Sequence, residues 1–287
     1  MGTGTEALPL TRTSRDQLKT VKGTLAFARR SPEEKAPEHS YSRSEIPAVT
    51  YDVTIRDARS IVNELSLDKE GFTLVQHNLS CANEQNSDVM RDKYLEEMVP
   101  FIKDYFKASW VVPKKDAVII RARGEQPTGM NEERALVTNE VSGFTHVDYS
   151  AIAAPMMAAR ENQLQNIPIQ PYSRLMVIQT WHALSQPPQD FPLTLCDGTT
   201  VMDTDLVHTH HDRHGIRHGM WRVHYSPLHH WYYFSDMKPG EFILFKGYDS
   251  KVDCNPRSAH VSFDNRLAFP KANPRKSVEC RFFVYFE

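Results

Sequence analysis

From Val112 onward the chain is cut into short runs rich in Val, Ile, Phe and Tyr: DAVIIRAR, GFTHVDYS, SRLMVIQTWHAL, FPLTLCDGTTV, HWYYFSDM, EFILFKGYDS, SAHVSF and SVECRFFVYFE. Turn residues separate them, and one helical stretch, SAIAAPMMAARENQLQ, interrupts the series. Many short strands at regular spacing predict a barrel or sandwich. Upstream the character differs. Residues 1 to about 45 are polar and rich in charge, Ser and Pro, and read as an arm or wrapping segment outside the core. From Asp52 to about Lys107 the pattern turns helical: RDARSIVNELSLDKEG has apolar residues at three- and four-residue spacings, and DVMRDKYLEEMVPFIKDYF reads as an amphipathic helix. GFTLVQHNLS between them reads as a strand. The expected organisation is a polar arm over 1–45 and a single domain over 46–287, with N-terminal helices ahead of the barrel.

At 287 residues the chain is long enough to bury a sizeable core. Its 34 Lys plus Arg against 36 Asp plus Glu leave a formal charge of −2, which gives no general affinity for nucleic acid or an anionic membrane. No apolar run is long enough to span a bilayer, and the opening MGTGTEALPLTRTSRDQLKT has no apolar signal core. Cys81, Cys196, Cys254 and Cys280 show no C-x-x-C spacing, as expected of reduced thiols in a cytoplasmic protein.

Within GFTHVDYS, His146 and Asp148 lie two residues apart. On a strand, alternate residues share a face, so both side chains point the same way. Imidazole and carboxylate at that spacing offer two ligands to a divalent metal, and a second histidine from elsewhere completes the two-His-one-carboxylate set of non-haem Fe(II) oxygenases. An H-x-D alone is more often an ordinary hydrogen-bonded pair. What raises its weight is His260 in SAHVSF, on another strand run, followed by NPRKSVECRFFVYFE. Arg275, Ser277, Glu279 and Arg281 have one parity and share a face of the last strand. A dicarboxylate entering an apolar barrel needs a bidentate cation, which Arg supplies. Double-stranded β-helix oxygenases use an Arg, with a hydroxyl two residues later, to hold the far carboxylate of 2-oxoglutarate. Arg275 with Ser277 fits, and Arg281 is a second inward candidate.

The stretches GFTHVDYS, TWHALSQPPQDFPLTLCDGTTV, HHWYYFSDMKPGEFILFKGYDS, SAHVSFDN and PRKSVECRFFVYFE resemble, in order, a fungal hydroxylase/desaturase group. That group includes gibberellin-desaturase-like and aspergillic-acid-hydroxylase-like enzymes. It is related to the cephalosporin 7α-hydroxylase component and to a fungal endoperoxide-forming oxygenase of meroterpenoid pathways. The resemblance runs from about Tyr51 to Glu287. It implies a mainly β fold with flanking helices, built on a double-stranded β-helix (jelly-roll, cupin-like) core. It also implies Fe(II), 2-oxoglutarate and O2 acting on a small, largely apolar metabolite. A ferryl that abstracts hydrogen would give hydroxylation or desaturation first and endoperoxide formation second. It carries the metal roles onto His146, Asp148 and His260, and the cosubstrate role onto Arg275 and Ser277. One departure is His182, which follows Trp181 where the group usually has Arg. Rival readings are a cupin-like metal protein or isomerase without oxidation, and a subunit that needs a partner. A homodimer is left open.

Other features invite blander readings. VHTHHDRHGIRHGMWRVHYSPLHH holds eight of the 13 histidines, but it lacks Cys and matches no closed zinc site, so a solvated loop is expected. His77 reads as a packed histidine, and RARGEQP (121–127) as the end of a strand. Trp181 and the Trp231–Phe234 run read mostly as core, with Trp181 and Trp231 as candidates for the wall of an apolar substrate pocket. Tyr149 points away from the Asp148 face by parity.

Overall fold

Two sheets face each other across the molecule in this computed structural model, which describes residues 13–30, 41–42, 45–123, 137–138, 143–213, 216–255 and 257–287. Among these residues one sheet has nine strands. Its order is β1 (Thr20–Ala28), β3 (Ala48–Asp57), β13 (Trp231–Tyr233), β10 (Leu193–Cys196), β15 (His260–Ser262), β8 (His146–Val147), β12 (Ile216–Val223), β11 (Leu206–Arg213) and β2 (Tyr41–Ser42). The other runs β4 (Phe72–Gln76), β14 (Glu241–Asp249), β9 (Arg174–Ala183), β16 (Lys276–Phe286), β6 (Ile119–Ala122) and β7 (Val137–Thr138), with β5 (Trp110–Pro113) also paired to β16. This is the expected jelly-roll: mostly short strands, two facing sheets, few helices.

The long strands β9, β14 and β16 fix which side chains look inward. In an antiparallel pair, residues directly opposite share a face. β9 pairs with β16 so that Ala183 lies opposite Ser277, Trp181 opposite Glu279 and Gln179 opposite Arg281. On its other edge Trp181 meets Ile243 and Gln179 meets Phe245 of β14. These residues form the inner face. The opposite parity, including Ile178, Phe242, Leu244, Val278, Cys280, Phe282 and Val284, packs outward against Met90, Tyr94, Leu95, Met98 and Ile102 of helix α1 (Ser87–Phe106). The Asn86 side chain caps α1 by accepting from the backbone N–H groups of Asp88 and Val89. A second helix, α2 (Ala153–Leu164), packs Ala154, Met157 and Ala158 against Val177 and Phe283 of the inner face.

Two expectations for the N-terminal region are overturned. The polar arm contains β1, and its Leu25 and Phe27 are fully buried. β1 and β3 pair over nine residues as one end of the nine-stranded sheet, and their buried side chains pack with the outward-facing Val147, Cys196, Trp231, Val261 and Phe263 of its other strands. A Cβ on Gly23 would sit 2.7 Å from Ile55 Cδ1 and 2.9 Å from Phe263 Cδ2, so only glycine lets the hairpin approach this closely. The helical pattern expected from Asp52 is also absent at its start. The chain stays extended to Asp57 and then makes only a short 3-10 turn, Arg59–Glu64. Pairing with β1 and with β13 outweighs the weak local helix preference. The rest of the arm, residues 1–12, 31–40 and 43–44, lies outside the described residues.

Phe27 has no exposed surface and meets Tyr51, Tyr225 and Trp231 edge-on at 6.0, 5.4 and 5.9 Å. Phe27→Ala is expected to lower the unfolding free energy by about 3–5 kcal/mol, measured by urea denaturation. A loss below about 1 kcal/mol would mean that the first strand is dispensable.

Candidate metal centre

His146 opens onto the barrel from β8, Asp148 follows one residue past that strand, and His260 begins β15 directly across the antiparallel pair from His146. The two imidazole rings lie 4.4 Å apart, and His146 Nε2 is 3.2 Å from Asp148 Oδ1. One ligand atom from each of the three residues falls within 4.8 Å of the other two. Both histidines are oriented from behind: Nδ1 of His146 donates to the Phe144 carbonyl (2.9 Å) and Nδ1 of His260 to the Ser258 carbonyl (3.2 Å). That turns Nε2 of each ring toward the space beside Asp148, the atom a metal would take. Burial, aided by His146, pushes the His260 pKa down to about 4, so its ring is neutral at physiological pH.

Burial alone would push Asp148 toward its neutral acid. Arg281, with His146, overrides this and holds the carboxyl well below the usual range. Arg281 donates through Nε and Nη2 to Asp148 Oδ2, at 3.1 and 2.8 Å, and through Nη1 to Glu279 Oε1 at 3.1 Å. Arg121 of β6 meets the same Glu279 oxygen at 3.2 Å. Burial works against ionisation of Glu279 as well, yet Arg121 and Arg281 hold it down at about 2. The second inward arginine is therefore bound to the candidate metal-ligand carboxylate and a neighbouring glutamate, with Nε, Nη1 and Nη2 all engaged.

Arg275 differs. It is 1% exposed, and Nη1 alone is engaged, donating to Phe191 O at 3.1 Å and Ser262 Oγ at 2.6 Å. Nε and Nη2 are buried without a partner among the described residues, as is Oγ of Ser277. Burial, with Arg121 nearby, lowers the Arg275 pKa to about 10. A buried guanidinium with two unsatisfied donors, on the same strand face as an unsatisfied hydroxyl, has the donor chemistry that a buried carboxylate would satisfy. These orphaned donors and the His–Asp–His set are what a divalent metal and a dicarboxylate require.

The tryptophans separate. Trp181 is on the inner face, packed with Leu195, Tyr232, Ile243 and Phe245, and the Arg275 guanidinium stands 5.8 Å from its ring. Trp231 is not a pocket residue. It lies opposite Cys196, whereas Leu195 lies opposite both Tyr232 and His260, so Trp231 faces away from the metal and packs under Phe27. His182 also looks outward. It stacks on Phe242 at 4.4 Å and meets the Tyr94 hydroxyl at 3.1 Å, so the departure at this position does not touch the centre.

The His-rich tract is a paired hairpin, β11–β12, where a solvated loop was expected. Its alternation was masked because histidines stand on both faces. His218 Nε2 donates to the backbone carbonyl of Asp148 at 2.6 Å, and its parity on β12 is that of Arg222, which lies opposite His146. His224 and His229 are buried and hydrogen-bonded to Ala28 O and Asp205 Oδ2, while His214 lies outside the described residues. Arg121 and Ala122 end β6 as expected, and 124–127 lie outside the described residues. His77 packs on Phe101 at 4.5 Å and meets Glu97 at 2.8 Å. Tyr149 is buried against His218 and Phe283, away from the metal ligands. A second acidic group, Asp68, Asp249 and Cys254, is already served by cations: Lys246 Nζ lies 2.8 Å from Asp68 and 2.6 Å from Asp249, and Arg174 lies 2.6 Å from Asp249. No helix among the described residues is long and apolar enough to cross a membrane.

Residues 19–285 match the family model described as an oxidoreductase/YMDC permease-like domain. A hydroxylase/desaturase, efuI of Hormonema carpetanum, is 27% identical over 259 residues, which span 83% of this chain and 84% of that protein. An Fe(II)/2-oxoglutarate-dependent dioxygenase, nvfI of Aspergillus novofumigatus, is 24% identical over 262 residues, 87% of this chain and 88% of that one. The solved structure of the iron and alpha-ketoglutarate-dependent endoperoxidase NvfI superposes with a TM-score of 0.77 at 22% identity, covering 93% of this chain and 98% of that one. That likeness shows the fold.

The unsatisfied guanidinium makes a stability prediction. Arg275→Met keeps the volume and removes the uncompensated charge, so the ligand-free protein is expected to be unchanged or more stable by about 1–2 kcal/mol, read from urea unfolding. A loss greater than about 3 kcal/mol would show that the guanidinium is already fully satisfied within the protein.

Proposed function

The chain belongs to the oxidoreductase/YMDC permease-like family, and from that premise we propose that it is an Fe(II)- and 2-oxoglutarate-dependent oxygenase that modifies a small, largely apolar metabolite. The observation that carries this reading is the pairing, inside one barrel, of a His146–Asp148–His260 cluster with a buried arginine whose Nε and Nη2 lack partners. A barrel that used its metal without oxidation would have no need of a buried dicarboxylate clamp. The printed names of relatives, hydroxylase/desaturase and Fe(II)/2-oxoglutarate-dependent dioxygenase, point the same way.

His146 and His260 would hold the iron through Nε2, with Asp148 supplying a carboxylate oxygen that Arg281 keeps ionised and aimed. Bound iron, with 2-oxoglutarate and O2, supplies the power to oxidise an unactivated C–H bond while the keto acid loses CO2. Arg275 receives the far carboxylate of 2-oxoglutarate in a charge-assisted, forked hydrogen bond, and Ser277 adds a hydroxyl donor. Trp181, Leu195, Tyr232 and Phe245 wall this part of the barrel with apolar surface and keep bulk water away. An apolar wall distinguishes substrates by shape, so the C–H nearest the metal is the one that reacts. Hydroxylation and desaturation rank first. Endoperoxide formation ranks second, because it needs a substrate radical that survives to meet another O2.

Two measurements test this. Ala at His146, Asp148 or His260 is expected to abolish stoichiometric iron and turnover while leaving a folded protein, whereas Arg275→Ala retains iron and raises the 2-oxoglutarate requirement by roughly one to three orders of magnitude. If Arg281→Ala gave that kinetic effect and Arg275→Ala did not, the two arginines would have been assigned in the wrong order. Incubation under 18O2 sorts the chemistry: one labelled atom for hydroxylation, none for desaturation, two for an endoperoxide. Metabolite-independent behaviour, with no 2-oxoglutarate turnover under any condition, would overturn the oxygenase reading.

A further inference from the structure

Cys254 differs from the other three cysteines. Cys81, Cys196 and Cys280 are buried in apolar clusters, whereas Cys254 is half-buried and lines a groove of about 630 Å3 with Asp68, Thr199, Val252 and Asn255. Its neighbour is an amine. Lys246 Nζ donates to Cys254 Sγ at 3.3 Å, and the Lys246 side chain has no exposed surface. An ammonium is almost never buried so completely unless it is paired, and here two carboxylates hold it. Nζ is 2.6 Å from Asp249 Oδ2 and 2.8 Å from Asp68 Oδ1. Cys254 Sγ donates to the same Asp249 oxygen at 3.2 Å. One carboxylate oxygen thus touches both the amine and the thiol, while Asp68, with half its side chain exposed, connects the amine to solvent.

We propose that Lys246 and Cys254 are a modification site, which hydrogen peroxide converts to a covalent Nζ–O–Sγ cross-link. The other thiols sit in separate clusters, so the nitrogen 3.3 Å away is the partner an oxidised Cys254 meets. The first peroxide turns the thiol into a sulfenic acid and leaves one water. The second removes two electrons and two protons as the neutral Nζ bonds to the sulfenic oxygen, and leaves two waters. Sulfur and nitrogen each lose two electrons, and each peroxide gains two. Asp249 Oδ2 is placed to take the proton that Nζ sheds, and Asp68 to pass it to water. A single oxygen fits between Nζ and Sγ with little movement, whereas a direct S–N bond would draw strand and loop much closer. Burial, with Asp249, pushes the Cys254 thiol up, so the pair stays reduced until oxidant is in excess. The bridge ties β14 to the loop that enters β15. Lys246 O accepts from the Ser258 N–H at 2.8 Å, and Ser258 O accepts from His260 Nδ1. Cross-linking therefore stiffens the connection on which one candidate metal ligand is mounted.

The test exposes the folded full chain, treated with a chelator so that no bound metal activates peroxide, to excess hydrogen peroxide. Tryptic peptides are then weighed, which keeps methionine oxidation separate. In the wild type trypsin should fail to cut after Lys246, and the peptide holding Lys246 should be joined to the one holding Cys254. The joined pair should carry the mass of one added oxygen less that of two hydrogens, and dithiothreitol should release it. Cys254→Ser should give no joined pair. Lys246→Arg keeps a cation beside Asp249 but lacks the amine, so its Cys254 should stop as a sulfenic acid, trapped by dimedone, or as a higher sulfur acid. A wild type that ends with those acids at Cys254, and is still cut after Lys246, would overturn the inference. An unoxidised Cys254 under excess peroxide would do the same, as would a joined pair that persists in Lys246→Arg. A joined pair lighter by two hydrogens, without added oxygen, would overturn the oxygen bridge in favour of a direct S–N bond.

Discussion

The ion pair between Asp148 and Arg281 ties the metal centre to the fold. Asp148 extends from the nine-stranded sheet and Arg281 rises from the middle of the other, so the contact at 2.8 Å spans the two layers of the jelly-roll. Burying either charge alone would be costly, and the pair is sustained because Glu279 and Arg121 continue the network along the same face. A carboxylate held ionised and in one rotamer is what a metal site needs from its weakest-fielded position.

Much of this was legible because strand parity is a hard geometric rule. The two-residue spacing of His146 and Asp148, a distant His260 on another apolar run, and the shared parity of Arg275, Ser277, Glu279 and Arg281 all survive as a common inner face. Parity says which side chains enter the barrel and is silent on which of them meet. Arg275 and Arg281 are equivalent by that rule. They differ because Arg281 lies opposite the metal carboxylate, whereas Arg275 lies beyond it, next to Ser262 and Phe191.

The elements whose sequence pattern departs from their structure share a physical cause. A strand covered on both faces offers no polar side from which to orient it, and Trp231 sits on one: its inner neighbour Tyr232 and its own ring are both buried, the second beneath Phe27. The strand TVKGTLAFA carries a weak signal because its outward residues are mostly polar and its buried side chains are Leu25, Phe27 and Ala28, a short apolar run inside a charged N-terminus. Histidine obscured β11 and β12 in a similar way. An imidazole serves as a half-buried strand residue on either face, so a run of them erases the period of two that marks a strand.

Charge within the barrel links the fold to ligand choice. Along the inner face of β6 and β16 the guanidinium groups of Arg121, Arg275 and Arg281 stand near the carboxylates of Asp148 and Glu279, and the His260 ring is neutral. Guanidinium thus outnumbers carboxylate along this face, and a divalent metal would add further positive charge. A dianion relieves most of that charge, and low dielectric magnifies the attraction that draws it in. A seated dianion would offset that charge beside the apolar wall of Trp181, Leu195 and Phe245. A second strongly charged ligand would have to shed its hydration with little left to compensate it, whereas an uncharged skeleton loses little on entry. The order of events follows from the same imbalance: the cosubstrate is held by charge and the substrate by shape, so a cavity that first neutralises itself becomes suited to an apolar guest.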